Sequence, residues 1–418
     1  MNTLEVISFG CRLNTYESEV IRSAAERSGL EDAVVFNTCA VTSEAMRQAR
    51  QSIRRIRLER PGARLIVTGC GAQIDPGMFA AMPEVDLVLG NNEKLSPGSY
   101  RDFGLAREER IRVNSIAEVR ETASHMVEGF EGHSRAFVQI QNGCDHRCTF
   151  CIIPFARGPS RSIAMGAVIE ELRRLIARGY SEAVLTGVDI TAYGGDLPGK
   201  PTLGRLVRKI LEALPELKRL RLSSIDSIEA DDDLFRAFAE EHRLMPHVHV
   251  SLQAGDNMIL KRMKRRHRPQ DAIAFCERLR RLRPDVVFGA DIIAGFPTET
   301  GAMFENTLRH VDECGLTYLH VFPFSARPGT PAARMPQLSG ILIAERAAEL
   351  RQKAARLLKN FLSRELGRTR SILVEKGNRG RTEHYAPVRF SEPVEPRQIV
   401  SAAITAIGAN HLIVQAVK

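Results

Sequence analysis

The chain has 418 residues, is 44% hydrophobic and carries a formal net charge of +9. That length accommodates about two to four domains with sizeable cores. No stretch approaches the roughly 20 apolar residues of a membrane helix, and Met1-Asn2-Thr3-Leu4-Glu5 lacks the basic-then-apolar run of a secretory signal. The expectation is a soluble cytoplasmic protein with no membrane association, and the basic excess weakly favours a polyanionic partner.

The first region, residues 1–118, alternates strand and helix patterns. Leu4–Ser8, Ala33–Phe36 and Arg64–Thr68 read as strands, with Val85–Leu89 a candidate fourth. Thr15–Ser28 and Ser43–Glu59 carry helical spacing. Alternation of this kind predicts a small parallel, Rossmann-like α/β sheet, in which ligands gather at the carboxyl ends of the strands. Cys11, Cys39 and Cys70 follow the first, second and third strands, so three cysteines at equivalent strand ends can converge. Apolar periodicity fades over residues 119–132, which read as a linker.

The second region, 133–363, has six further strand patterns: Phe137–Gln141, Ala183–Thr186, Leu220–Ser223, Val248–Leu252, Val286–Ile293 and Tyr318–Phe322. Each runs into a polar or glycine-rich loop. Six βα repeats without closure to eight predict a partial barrel working at its carboxyl face, as complete barrels do. The third region, 365–418, has short strand patterns at Ser371–Glu375, Ala386–Phe390, Gln398–Ile404 and Leu412–Val417, separated by turn formers. It reads as a small antiparallel β-barrel, a type that often binds RNA.

The eight cysteines divide by context. Cys276 and Cys314 sit in apolar helical stretches and read as buried small hydrophobes; the other six lie in loops. Cys144, Cys148 and Cys151 form a CxxxCxxC loop after the first barrel strand. Three thiolates within eight residues chelate one soft site, and three cysteines on a four-iron cubane leave one iron open. The alternative is a structural zinc knot, which wants four protein ligands. A second CxxC is absent, and His146 is confined between two of the cysteines.

The cysteine loop in this setting resembles the radical S-adenosylmethionine superfamily. The resemblance implies a 4Fe–4S cluster on Cys144, Cys148 and Cys151 whose open iron binds S-adenosylmethionine, with the difficult chemistry left to the cofactor. It places Phe150 over the nucleoside and Gly187 and Asp189 at the methionine end. Ser251, Gln253, Ile292, Gly295 and Pro297 fall near ribose and adenine. Cys11, Cys39 and Cys70 can hold a second cubane with an open iron, able to carry sulfur for insertion into a C–H bond.

A narrower resemblance rests on longer motifs. Gly10-Cys-Arg-Leu-Asn-Thr-Tyr-Glu-Ser-Glu19, Asn37-Thr-Cys-Ala-Val-Thr42 and the loop from Asn142 to Gly158 look like the methylthiotransferases. So do Gly295-Phe-Pro-Thr-Glu299 and the run from Phe322 to Thr330, while Thr382 to Phe390 resembles the family's RNA-binding TRAM barrel. Within that family the wording is closest to the branch acting on N6-threonylcarbamoyladenosine at position 37 of tRNA. Sister branches act on isopentenyladenosine or on a ribosomal-protein aspartate. The resemblance implies two 4Fe–4S clusters and S-adenosylmethionine, methylation of a sulfur carried on the N-terminal cluster, and radical activation of adenine C2–H. It requires no acid–base residue. It also implies an electron donor and a sulfur source; a monomer is favoured.

The target base must be splayed out of the anticodon loop to be reached. The densest basic run, with Lys261, Arg262, Lys264, Arg265, Arg266 and Arg268, is the candidate phosphate contact. Lys376, Arg379 and Arg381 in the C-terminal barrel join it, and Arg368 and Arg370 are nearby. A solvated helix face is the bland reading of the same charges. The rival of another class is an RNA-binding protein with structural metal sites and no turnover; an electron carrier fits an open-iron triad poorly.

Overall fold

The computed structural model describes residues 4–101, 110–120, 127 and 129–417. The N-terminal strands β1 (Glu5–Ser8), β2 (Ala33–Thr38), β3 (Arg64–Gly69), β4 (Leu87–Leu89) and β5 (Ile111–Arg112) form one sheet in that order. Every pairing is parallel. Strands β2 and β3 are covered on both faces, so they read as continuous apolar runs. Val34, Phe36, Leu65 and Val67 pack on one side with Met46, Ile53 and Ile56 of α2 (Ser43–Glu59). Val35 and Ile66 pack on the other with Ile21, Ala24 and Ala25 of α1 (Arg12–Arg27). Thr42 caps α2 by accepting from the Ala45 amide. Helix α1 begins before the expected Thr15 because Cys11 is its N-cap. Short α3 (Cys70–Ile74) opens on Cys70 itself, so that cysteine lies on a helix rather than in a loop, and α4 (Pro76–Ala80) follows it.

The second body is an open half-barrel. Strands β6 (Ala136–Gln139), β9 (Glu182–Thr186) and β10 (Arg219–Leu222) form one three-stranded parallel sheet. A second joins β11 (His247–Gln253), β12 (Val287–Ala294) and β13 (Leu316–Pro323). A parallel bridge between Ile225 and Val250 connects the two. Helices α6 (Met165–Ala177), α7 (Leu203–Ala213), α8 (Asp232–Glu240), α10 (Pro269–Leu282), α11 (Gly301–Glu313) and α12 (Gly340–Glu365) cover the outside, with α9 (Asn257–Arg262) at the carboxyl rim. Side chains alternate across each strand. Val248, Val250, Leu252, Ala290 and Ile292 join the main core under the helices. The other phase brings His249, Asp291 and His320 together on the inner face. The first barrel strand ends at Gln139, and Gln141 starts a separate hairpin of β7 (Gln141–Asn142) with β8 (Arg161–Ser162), which closes the base of the cysteine loop around α5 (Ile153–Arg157). Cys276 and Cys314 are buried, and the Cys314 sulfur lies 3.6 Å from His310 Nε2.

The third body is a closed barrel with strand order β14 (Thr369–Glu375), β15 (Arg379–Thr382), β16 (Pro387–Phe390), β18 (Leu412–Ala416), β17 (Ile399–Ile407). It differs from the expectation twice. A fifth strand, Arg379-Gly-Arg-Thr382, was hidden because arginines and glycine give no apolar alternation. And β16 pairs with β18 in parallel, the other pairings being antiparallel. The turn between β15 and β16 docks on the amino end of the half-barrel. Arg221 donates to the Thr382 and Glu383 carbonyls, and the Tyr318 hydroxyl to the His384 carbonyl. In the expected linker, residues 121–126 and 128 lie outside the described residues. Its end is anchored: Phe130 is buried, meets Tyr16, Phe137 and Tyr180, and its amide donates to the Tyr180 hydroxyl. No described helix is long and apolar enough to cross a membrane.

Candidate active site

The in-register ends of β1, β2 and β3 bring the first three cysteines together. Asn37 lies opposite Ser8 and Thr68, and Thr38 opposite Gly69. Gly10 has φ +96°, and a Cβ there would stand 2.9 Å from the Cys39 sulfur, so only glycine lets the Cys11 loop close on Cys39. Cys39 and Cys70 are buried while Cys11 is exposed. Burial and the neighbouring Cys70 push the Cys39 thiol up to about 12.

The second triad hangs from a loop pinned at several points. Gly143 has φ +75°, and a Cβ would run into the Pro159 carbonyl. The Cys144 amide donates to the Gly158 carbonyl at 3.1 Å and the Cys151 amide to the Cys148 carbonyl at 3.1 Å. Thr149 ties the loop to the rim of α9 through its amide to Met263 and its hydroxyl to the Arg262 carbonyl. Burial, then the adjacent Cys148, raise the Cys151 thiol to about 11. In each triad burial holds at least one thiol, Cys39 in the first and Cys151 in the second, well above the usual range. A cationic iron–sulfur cluster is the group that allows such thiols to ionise side by side, so both donor sets fit one.

The two triads are neighbours. Ala40 and Cys70 pack against Ile152 and Ala156 in a small apolar cluster. Arg157, fully enclosed, stands between them. Its Nε lies 3.2 Å from the Cys70 sulfur. Its other nitrogens donate to Glu17 at 2.7 and 3.0 Å, to Asn14 at 2.6 Å and to Asn142 at 3.1 Å. Lys94 approaches Glu17 from the opposite side at 2.7 Å. Burial opposes ionisation of Glu17, but the charges of Arg157 and Lys94 outweigh it and hold the carboxyl at about 2.

A cavity of about 190 Å³ opens beside both triads. Val41 and Thr42, just past Cys39, meet Phe150 of the cysteine loop, with Gln253, Asp291, Ile293 and Phe322 to Ser325 on the barrel side. Phe150 and Gln253 thus line one cavity. The β12 alternation gives the cavity to Ile293, while the side chain of Ile292 is fully buried in the core. Gly187 and Asp189 form a turn set by Gln141, whose Oε1 accepts from the Val188 and Asp189 amides. The Asp189 carboxylate lies 3.8 Å from the Cys144 sulfur and 2.8 Å from His146 Nε2. Hydrogen bonds to Asp189 and then Glu229 push His146 up to about 10. Ser251 offers its carbonyl to Arg265. Gly295 turns with φ +74° and backs onto Ile343 of α12, its amide donating to Glu299, and Pro297 precedes the Thr298 turn, also at positive φ.

The basic run does not act as one surface. Arg265 turns inward: it pairs with Asp226 at 2.6 Å and its Nη1 lies 3.9 Å from the Cys148 sulfur. Arg262 donates to the Thr298 carbonyl, Arg266 pairs with Glu229, and Arg268 pairs with Asp271 at the start of α10. Lys261 and Lys264 remain exposed. In the small barrel Arg368 and Arg370 are held by Glu365. Arg381 turns onto the Tyr385 ring. Lys376 and Arg379 are exposed, and Arg379, Arg381 and Arg389 line a cleft of about 560 Å³.

Residues that sequence reasoning did not single out include Glu17, Lys94, Arg157, Asp226 and the trio His249, Asp291 and His320. Glu17 and Arg157 lie inside motifs quoted for the resemblance, which was their only sequence signal. The trio sits at alternate positions of three strands far apart in the chain, a placement only strand register reveals.

Residues 138–311 match the family described as the Radical SAM superfamily, and residues 3–90 match Uncharacterized protein family UPF0004. The threonylcarbamoyladenosine tRNA methylthiotransferase MtaB of Rickettsia prowazekii is 52% identical over 408 residues, covering 98% of this chain and 96% of that protein. The like-named protein of Thermotoga maritima is 35% identical, covering 90% and 87%. The tRNA-2-methylthio-N(6)-dimethylallyladenosine synthase of Novosphingobium aromaticivorans is 32% identical, covering 98% and 96%. Among solved structures, the radical S-adenosylmethionine methyltransferase TsrM from Kitasatospora setae superposes with a TM-score of 0.57 at 18% identity, over 79% of this chain and 77% of that one; this is a likeness of fold. With 52% and 35% identity to those enzymes over nearly the whole chain, and a radical SAM match over residues 138–311, the chain belongs to the radical S-adenosylmethionine methylthiotransferase family.

Proposed function

We propose that this protein is a tRNA methylthiotransferase that converts N6-threonylcarbamoyladenosine at position 37 into its 2-methylthio derivative. The observation that carries the reading is the shared cavity: residues beside Cys39 and residues beside Cys151 wall the same space. Sulfur donor and radical source can therefore meet one substrate atom. The 52% identity with the Rickettsia enzyme, against 32% with the dimethylallyladenosine synthase, favours the threonylcarbamoyl substrate.

Cys11, Cys39 and Cys70 would hold one 4Fe–4S cluster and Cys144, Cys148 and Cys151 the other. When bound, these clusters and S-adenosylmethionine supply the electron, the radical and the sulfur. The chain's own residues position and shield. Gln141 fixes the turn that presents Gly187 and Asp189 beside Cys144. Phe150 and Ile293 give the cavity apolar walls that keep water from a reactive centre. Arg157 locks the two cysteine segments at a set spacing. Exposed Lys261 and Lys264, with Lys376 and the arginine-lined cleft of the small barrel, would take tRNA phosphates, which position the RNA without reading its sequence. An external electron donor and a sulfur source complete the requirements.

Nucleoside mass spectrometry of tRNA from a strain lacking the gene tests the reading. The 2-methylthio form disappears and its unthiolated precursor accumulates. An unchanged nucleoside profile refutes it.

A further inference from the structure

Below the cavity the inner face of the half-barrel carries an unusual column of polar groups. Asp291 accepts from His249 Nε2 at 2.9 Å and from His320 Nδ1 at 3.2 Å, and the two rings lie 4.7 Å apart. Asp291 itself lines the cavity. His249 is buried beside Asp291, whereas the His320 side chain is 60% exposed and its Nε2 has no partner among the described residues. One layer deeper, His247 stacks on the Tyr385 ring with the ring centres 5.1 Å apart.

The floor of this column is cationic and only partly neutralised. Arg135, Arg219 and Arg221 surround buried Glu182 at 2.7, 3.4 and 3.0 Å, and Arg135 also pairs with Glu375. Arg381 donates to the Tyr385 carbonyl. Arg12 is different. It follows Cys11 directly, yet its guanidinium reaches into the column, 5.7 Å from the centre of the Tyr385 ring, and its charge is felt at His247. It has no carboxylate partner among the described residues. A partly enclosed guanidinium without a counter-ion is suited to an anionic ligand.

We propose that Arg12 and His320, the latter held by Asp291, form the subsite that reads the carboxylate-bearing arm on N6 of the substrate adenine. This rests on the threonylcarbamoyladenosine reading above. The chemistry of the base supplies the direction. C2 and the N6 substituent both lie on the Watson–Crick edge, flanking N1. With C2 turned to the cavity between Thr42 and Phe150, the N6 arm extends along the inner face. There the ureido and hydroxyl groups meet His320 and Asp291, and the terminal carboxylate meets Arg12. Because Cys11 and Arg12 are adjacent, the sulfur-bearing triad and the group that grips the arm move as one unit. A substrate arm without charge would leave Arg12 unpaired in a partly desolvated column.

The test uses the cluster-loaded full-length protein, anaerobically, with anticodon stem-loop RNAs carrying threonylcarbamoyladenosine, its methyl ester, isopentenyladenosine or plain adenosine at position 37. Binding is read by fluorescence anisotropy, alongside methylthiolation and iron content. The parent protein is expected to bind the acid roughly tenfold or more tighter than the ester, as loss of a charge-assisted bond implies. Arg12→Gln brings that ratio close to one with iron unchanged, Arg12→Lys keeps most of it, and His320→Phe keeps part. A parent that methylthiolates the acid yet binds acid and ester alike overturns the proposal, and that comparison needs no variant to fold. So does an Arg12→Gln protein that still discriminates, or one that weakens all four RNAs equally, which would make Arg12 a backbone phosphate contact. A parent that methylthiolates the isopentenyl RNA and not the threonylcarbamoyl RNA overturns the functional reading itself, and the subsite with it.

Discussion

Replacing Arg157 by methionine removes the side chain that joins the two cysteine segments while keeping similar volume. In the parent, Glu17 falls from an unfolded value of 4.5 to about 2 although it is fully buried. Each pKa unit corresponds to about 1.4 kcal/mol, so the shift represents roughly 3 kcal/mol of folding stability at neutral pH. Breaking a buried pair by removing one partner costs about 3–5 kcal/mol, because the remaining charge is left uncompensated. At about 2–4 °C per kcal/mol for a body of this size, the melting temperature should fall by roughly 6–20 °C at pH 7. The sign of the pH dependence follows from the lowered pKa. The parent's Glu17 contribution is fully present above pH 4.5 and is lost as pH falls towards 2. The variant has already lost most of it, so the gap between the two proteins narrows below about pH 4.5. Differential scanning calorimetry of the anaerobic protein at pH 7 and pH 4 measures both. A variant melting within about 1 °C of the parent at pH 7, or a gap that widens in acid, would refute the reasoning.

Replacing Cys11, Cys39 and Cys70 by alanine should halve iron from about eight to about four per chain while reductive cleavage of S-adenosylmethionine persists; loss of cleavage would mean the triads are not separable. Gly143→Ala forces a Cβ onto the Pro159 carbonyl at a positive φ, so iron bound by the CxxxCxxC loop should be lost with the N-terminal cluster retained, read by Mössbauer spectroscopy. Binding of tRNA should weaken steeply as salt rises. The Lys261→Ala, Lys264→Ala double variant should lower the logarithmic salt slope by about 1–2; an unchanged slope would remove these lysines from the interface. Arg265→Gln, by contrast, should leave the salt slope unaltered and disturb the cluster at Cys148, because Arg265 points inward to Asp226.

Local composition carried a large part of this protein. The spacing of Cys144, Cys148 and Cys151, and the return of Cys11, Cys39 and Cys70 after successive apolar runs, are one-dimensional signals, since a strand followed by a loop places its last residue at a sheet edge whatever the rest of the chain does. Helix α2 ran over the expected Ser43–Glu59 because amphipathic spacing and a Thr42 cap act within a few residues. The fifth barrel strand escaped notice because Arg379-Gly-Arg-Thr382 takes its conformation from ladder bonds to β14 and β16 rather than from its own side chains. The basic run looked uniform because charge alone does not say which way a side chain points; Asp226, 39 residues upstream, draws Arg265 away from solvent.

The one-residue choice between Ile292 and Ile293 has the same origin. A strand alternates with period two, and only pairing with β11 and β13 sets which phase faces the cavity. Register also brings His249, Asp291 and His320 to one level from three strands, and sends Arg12 from the Cys11 loop towards Tyr385 of a barrel more than 350 residues later in the chain. The sequence by itself determined the two cysteine triads and the order of strands and helices, because those depend on neighbours along the chain. The tertiary structure decided which charges are buried, which are paired and which remain open to a substrate, because those depend on distances between residues that the chain keeps far apart.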